Sequence, residues 1–337
     1  MNTKFVYAVV SDVSDIYLEQ TYVSILSLRK HNKDAFVVLV IDDSTDYTLK
    51  QNRSQIVDVI NEKIVVTPPT HYSKVQRSRY LKTSLRKYIS GDYLFIDSDT
   101  VITDDLSDIE SYSGDVLAVL DKHILFNEHP GYYEVVNQCN KIGWEIEKSD
   151  QHYYNSGVML VRDSHISHLL YERWNEEWKK QLIFNMHSDQ PALGKANEEM
   201  GYIIKELDGI WNCQISDNGL KYLHEAKIIH YFSSTIKSSN SEYLYYFMDK
   251  KVFAELKTKG FINNELQNNI NFPQSAFCNR TIVLSGNERQ FYLSALVRNL
   301  KILYFEHYSI YKALNSFFHY KRLFLNKLKK CIYTIKS

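Results

Sequence analysis

An α/β fold is predicted, with a mainly parallel sheet flanked by helices on both faces. Three observations predict it. Continuous apolar runs such as KFVYAVV, FVVLVID and YLFI suit strands buried on both sides rather than alternating surface strands. Segments with apolar residues at helical spacing separate them, giving a βαβαβ order. The length of 337 residues suits one large α/β domain with an appendage.

The elements follow in chain order. Residues 4–10 read as the first strand and Ser11 to Asp15 as a polar loop. Ile16, Tyr17, Thr21, Ile25 and Leu28 then predict a helix over 16–31. Residues 36–42 are a second strand ending in Asp42-Asp43, 47–60 a helix, and 63–69 a short strand stopped by two prolines. A helix over 75–89 stops near Gly91, and strand 93–97 follows. Later pieces are DVLAVLD (115–121), YNSGVMLVR (154–162), a helix over 164–181, HSDQPALGKA (187–196) opening another helix, and KIIHYFSS (227–234). After about residue 240 the pattern becomes helical and aromatic, so the division expected is 1–240 for a ligand-binding catalytic domain and 241–337 for a mostly helical extension.

Composition narrows the function classes. Lys+Arg and Asp+Glu are both 40, so no global charge favours nucleic acid. The 26 tyrosines suit sugar rings, but a β-rich core or AT-biased coding is the preferred reading. Cys139, Cys213, Cys278 and Cys331 form no C-x-x-C pair, which suggests neither a disulfide framework nor a zinc site and fits a reducing compartment. The N-terminal apolar run is too short for a signal peptide, and no stretch reaches the roughly 18 apolar residues of a membrane span. A cytoplasmic protein is expected.

The stretch YLFIDSDTVI (93–102) carries the most chemistry. Asp97-Ser98-Asp99 falls at the carboxyl end of a buried strand, where open α/β sheets bind ligands. Two acids one residue apart near a dry core call for a cation, and a hard divalent metal carrying a diphosphate meets that need. A bare Asp-x-Asp is also an ordinary polar turn, so the wider pattern decides.

That pattern is FVYAVVSD, YSKVQRSRYLK, YLFIDSDTVITDDL, YNSGVMLV, SDQPAL and HYFSSTIK, in this order. Over roughly residues 3–240 it resembles glycosyltransferase family 8, the retaining nucleotide-sugar transferases of the GT-A fold. The resemblance implies Mn2+ (or Mg2+) held by Asp97, Asp99 and His230, an ion compatible with oxygen ligands and imidazole. It places the nucleotide against Ala8, Val9, Val10 and either Ser11 or Asp12, with Asp12 preferred. It sets Arg79, with Arg77 as rival, beside the diphosphate or donor sugar, where a guanidinium pairs bidentately with phosphate oxygens. Ser98 belongs to the same donor-binding corner.

The sugar pocket implied by the resemblance uses Asp121, Asn155, Asp189 and Gln190, with Gly157 letting backbone approach a ligand. Asp189 also reads as a helix cap before Gln190-Pro191. The family's His-x-x-Gly ending followed by Lys is altered here to His230-Tyr231-Phe232-Ser233, with Lys237 one place late. Ser233 and Lys237 are expected to close over the diphosphate.

The function expected is transfer of galactose or glucose from a UDP-sugar to a saccharide acceptor, lipid-linked or protein-linked. Two other classes compete. A weakly catalytic nucleotide-sugar- or carbohydrate-binding module fits the altered ending; the intact Asp-x-Asp and Asp-Gln oppose it. A nucleotidyltransferase needs a glycine-rich basic loop after the first strand, and VVSDVSD has neither glycine nor lysine. The C-terminal stretch interleaves Lys312, Lys321, Arg322, Lys327, Lys329, Lys330 and Lys336 with aromatic and aliphatic residues. It reads either as a packed helix with solvated lysines or as a basic segment making peripheral contact with the inner face of a membrane.

Overall fold

A computed structural model describes residues 2–146, 152–232, 244–277 and 290–321. Seven strands form the central sheet: β1 (Lys4–Val9), β2 (Val37–Asp42), β3 (Glu62–Val66), β4 (Tyr93–Ile96), β6 (Val116–Leu120), β7 (Tyr154–Val161) and β8 (Ile204–Glu206). Their order is β3-β2-β1-β4-β7-β6-β8. All pairings are parallel except those of β7, which runs against both neighbours, β4 and β6. A second sheet joins β5 (Thr100–Ile102), β10 (Ile228–His230) and β9 (Cys213–Gln214) in that order.

The inner strands β2, β4, β6 and β7 are buried throughout because both faces of the sheet are covered, whereas the edge strands β3 and β8 carry exposed residues. Val6, Val38, Val40, Phe95 and Met159 point to one face. They meet Leu81 of α3 (Lys74–Thr83), Trp174 and Trp178 of α5 (His165–Gln181), and Leu193 of α6 (Gln190–Glu199). Phe5, Tyr7, Leu39, Ile41 and Leu94 point to the other, against Leu18, Ile25 and Leu28 of α1 (Tyr17–His31). Capping boxes fix two helix starts: Ser73 with Gln76 opens α3, and Ser164 with Ser167 opens α5.

Two expected helices are broken. In place of the helix expected over 47–60 there is a short α2 (Asp43–Tyr47), capped by Asp42, that ends where that helix was to begin, and then a 3-10 stretch Gln51–Val59. Gln51 at φ 51° interrupts any continuous helix there. The helix expected over 75–89 ends at Thr83 and tightens into the 3-10 turn Leu85–Lys87. Helix α4 (Tyr132–Lys141) and strands β8 and β9 have no counterpart in the sequence reading. Only Cys139 of α4 is fully buried, so the helix carries a weak core signal.

The chain forms two compact units, Met1–Arg280 and Thr281–Ser337. Residue 240 itself lies outside the described residues. Within the first unit, α7 (Lys250–Lys259) and α8 (Asn264–Asn271) share a core with β9 and β10 through Phe253, Leu256, Leu266, Ile270, Cys213 and Ile229. In the second unit, α9 (Ala295–Glu306) and residues 308–321 are helical, and none of its described residues is buried. No described helix is long and apolar enough to cross a membrane.

Candidate active site

The reversal of β7 brings its start to the same edge of the sheet as the ends of β1, β2, β4 and β6. Between Ala118, paired with Met159, and Val119, paired with Asn155, the register shifts. Residues Ser156 to Val158 are the extra length of that bulge, and bulges of this kind re-aim side chains beside functional sites. The small polar run Asn155-Ser156-Gly157 is its sequence mark.

Asp97 follows the last residue of β4, and Asp99 precedes β5. The turn between them is tied down: Thr100 Oγ1 donates to the Asp97 carbonyl at 2.9 Å, Thr21 Oγ1 donates to Ser98 Oγ at 2.9 Å, and Asp97 N–H donates to the Gly157 carbonyl at 2.7 Å. His230 ends β10, whose antiparallel pairing places it opposite Thr100. Ligand atoms of Asp97, Asp99 and His230 therefore all lie within 4.8 Å of one another, with His230 Nε2 at 3.2 Å from Asp99 Oδ1. Two oxygen donors and one imidazole are a fitting set for Mn2+ or Mg2+.

Electrostatics mark the same corner. Burial pushes the Asp97 carboxyl up, and the Asp99 charge adds to that push; Lys82, His230 and Arg79 pull it down without cancelling the rise. Lys82, only 4% exposed, sits at 3.1 Å from both Asp97 carboxylate oxygens and at 3.6 Å from Asp189. Its ammonium also lies 4.9 Å from the Phe95 ring centre.

Asp189 precedes α6 in the cap position, but its side chain makes no capping bond. The carboxylate instead accepts from Ser156 Oγ at 2.6 Å and pairs with Arg79 Nε at 3.1 Å. The expected helix-cap role is thus replaced by an ionic one. Burial acts to raise the Asp189 pKa, but Lys82, Arg79 and Ser156 outweigh it and hold it at about 2. Gln190 Nε2 donates to the Tyr154 carbonyl at 3.1 Å, which ties α6 to the start of β7.

Asp121, just past β6, accepts from Asn155 Nδ2 at 2.8 Å and from His129 Nε2 at 2.9 Å. Asn155 Oδ1 accepts from Gly157 N–H and from Asn212 Nδ2, both at 2.9 Å. Gly157 packs on His230: a Cβ there would lie 2.5 Å from His230 Cε1. Phe232 stacks on the His230 ring, ring centres 4.0 Å apart.

The two candidate arginines separate. Arg79 joins the Asp189 cluster, whereas Arg77 pairs with Asp42 at the end of β2, 2.9 Å away. Val9 and Val10 bury their side chains in opposite cores, so only their backbone can meet a ligand; Ala8 is half-buried. Asp12 is bound to Lys74 Nζ at 2.6 Å and to Ser14, and these bonds hold its carboxyl well below the usual range. Ser233 and Lys237 lie outside the described residues.

Sequence reasoning passed over four residues of this cluster: Lys82, Ser156, His129 and Asn212. Lys82 had a signal, since it stands three residues after Arg79 and so shares its face of α3. Ser156 lies inside the Asn155–Gly157 run. His129 and Asn212 arrive from segments with no motif.

The assembled sheet, with its acids at one edge, can be set against solved structures. An active-site mutant of LgtC superposes over 79% of this chain and 99% of its own, with TM-score 0.51 and 16% identity. The fold is of the GT-A class. Galactosyltransferase LgtC in complex with donor and acceptor sugar analogues matches over 79% of this chain and 99% of its own, at 15% identity and TM-score 0.49. The apo form of mouse xyloside xylosyltransferase 1 matches over 71% and 100%, at 13% identity and TM-score 0.47. No family profile and no curated protein sequence matches the chain.

Proposed function

We propose that the protein is a retaining glycosyltransferase of family 8 type, moving galactose or glucose from a UDP-sugar to a saccharide acceptor with Mn2+ or Mg2+. The observation that carries this reading is the convergence of Asp97, Asp99 and His230 beside Lys82, Arg79 and Asp189 at the ligand-binding edge of a GT-A sheet.

Asp97, Asp99 and His230 would hold the ion, which when bound supplies Lewis-acid stabilisation of the departing diphosphate. Lys82 and Arg79 add positive charge at that end, fixed in place before the reaction and so needing little reorganisation. Asp189 stays ionised at all ordinary pH and faces the electron-poor sugar carbon that forms as the anomeric bond breaks. Gln190 and Asn155 offer amides to sugar hydroxyls, and Asp121 orients Asn155. The uracil and ribose would meet the backbone after β1 and Asp12, and the diphosphate contacts proposed for Ser233 and Lys237 fall on residues outside those described.

The acceptor-side proposal extends to the second unit. Residues 308–321 expose Tyr308, Ile310, Leu314, Phe317, Phe318 and Tyr320 beside Lys312 and Lys321. Such a surface suits a cytoplasmic enzyme meeting a lipid-linked acceptor at an anionic membrane.

The test is hydrolysis of UDP-galactose and UDP-glucose without acceptor, after chelation and after adding Mn2+. Metal-restored release of UDP is expected. Mn2+-dependent UDP binding with no turnover on any donor would leave a binding module instead.

A further inference from the structure

We infer that Asn212 is a positioning residue: it pins a proton on Nδ1 of His230, leaving Nε2 as the ring nitrogen free to meet a cation. The inference rests on the reading of Asp97, Asp99 and His230 as a cation site and deepens it.

The direction of every hydrogen bond here is set by groups that can act in only one way. The N–H of Gly157 can only donate, so the Asn155 atom facing it at 2.9 Å is the amide oxygen. Asn155 Nδ2 then faces Asp121 Oδ1 at 2.8 Å, as a carboxylate acceptor requires. At the far side of Asp121, the N–H of Gly131 donates to His129 Nδ1 at 3.0 Å, so His129 presents Nε2–H to Asp121 Oδ2. The carboxylate therefore receives two donors, and Asn155 has no reason to turn over.

The oxygen of Asn155 now fixes the next amide. Asn212 must present Nδ2 to it, at 2.9 Å, which leaves Asn212 Oδ1 facing His230 Nδ1 at 2.9 Å. An amide oxygen accepts only, so Nδ1 carries a hydrogen. Asn212 has the burial to hold this arrangement: it is 0% exposed, and His230 is 2% exposed. It ends the 3-10 turn Gly209–Asn212 and leads into β9, whose parallel pairing with β10 puts Gln214 opposite His230 and brings Asn212, two residues earlier, within hydrogen-bond reach of the ring.

Without this relay, Asp99 would decide the tautomer. Its Oδ1 lies 3.2 Å from Nε2 and attracts a proton there, which would occupy the nitrogen that has to ligate. The amide chain opposes that pull. Outer partners that orient a ligating histidine in this way typically contribute about 10- to 100-fold in metal affinity.

Two measurements decide the inference. Long-range proton–nitrogen correlation spectra of the metal-free protein, labelled with 15N-histidine, read which ring nitrogen of His230 holds the proton. Wild type is expected to show protonated Nδ1; a neutral ring with its proton on Nε2 overturns the inference, whatever the variants do. Mn2+ alone is then titrated, following the electron paramagnetic resonance of the free ion. Asn212→Leu, which lacks the acceptor, should bind about 10- to 100-fold more weakly. Asn212→Asp, which keeps an acceptor for Nδ1–H but loses the donor to Asn155 Oδ1, should bind Mn2+ more tightly than Asn212→Leu. Equal affinity of Asn212→Leu and wild type also overturns the inference. If wild type binds no Mn2+, the cation-site reading fails, and the tautomer is still decided by the metal-free spectra.

Discussion

Asp97 and Asp189 share one cation, Lys82, yet their environments push them in opposite directions. At the β4–β5 corner, burial and the neighbouring Asp99 raise the Asp97 carboxyl, and Lys82 at 3.1 Å does not cancel the rise. At the start of α6, Asp189 is buried more deeply than the half-buried Asp97, but Arg79 and Ser156 join Lys82 and hold it at about 2. The difference lies in the partners: Lys82, His230 and Arg79 act on Asp97 against burial and a second acid, Asp99, whereas Asp189 pairs directly with Arg79 and Lys82 and accepts from the Ser156 hydroxyl. One carboxylate is left disfavouring its charge, as a proposed cation site would; the other is held as a fixed negative charge. Pairs of titratable groups driven apart in this way commonly divide the chemical roles in a site.

The largest expected effect comes from emptying the first region. Asp97→Asn and Asp99→Asn should each lower turnover by roughly a thousandfold or more, the loss of several kcal/mol of charge stabilisation. The metal-free melting temperature of Asp97→Asn should not fall, because the folded protein disfavours that charge. Calorimetric melting with and without chelator checks this, alongside turnover at saturating Mn2+. Near-normal turnover would break the comparison at its first term.

Lys82→Met removes the shared cation from both sites. Breaking a buried pair typically costs about 3–5 kcal/mol, so the metal-free protein should unfold at lower denaturant. Mn2+ should then stabilise the variant more than it stabilises wild type. Equal stabilisation would mean that Lys82 does not offset the Asp97 charge.

The second region predicts a different kinetic signature. Asp189→Ala and Gln190→Ala should lower kcat by about a hundredfold while changing UDP affinity by less than about threefold, because the proposed role of both is toward the sugar rather than the nucleotide. Parallel losses would move both residues to the nucleotide side or to a structural role.

A smaller effect concerns acid stability. The Asp189 pKa is depressed from 3.8 to about 2 on folding. Its contribution is therefore complete above about pH 4 and is lost as pH falls through about 2, amounting to about 2 kcal/mol. Asp189→Asn should show a shallower loss of stability over that window than wild type, measured by denaturant melts at each pH.

Much of this comparison was legible in the sequence, and the parts that were not have physical reasons. The strand YLFI and its two acids were readable because a fully buried strand is a continuous apolar run and its polar stop is abrupt. The Asn155–Gly157 run was readable as a site, but not as a bulge in a reversed strand, since strand direction leaves no mark in a run buried on both faces. Asp189 was placed correctly at a helix start and given a cap it does not make. Propensity sees the position, whereas Arg79 and Lys82 come from a distant helix. His129 and Asn212 were invisible, because a lone His or Asn in an irregular segment has meaning only through the residues folded beside it.

The most direct test of the central claim is a calorimetric titration of UDP into wild-type protein and Asp97→Asn, each with Mn2+ and with chelator. Wild type should bind UDP strongly only when Mn2+ is present, and Asp97→Asn should bind it weakly in both conditions. UDP binding of equal strength in all four titrations would contradict a cation site at Asp97, Asp99 and His230.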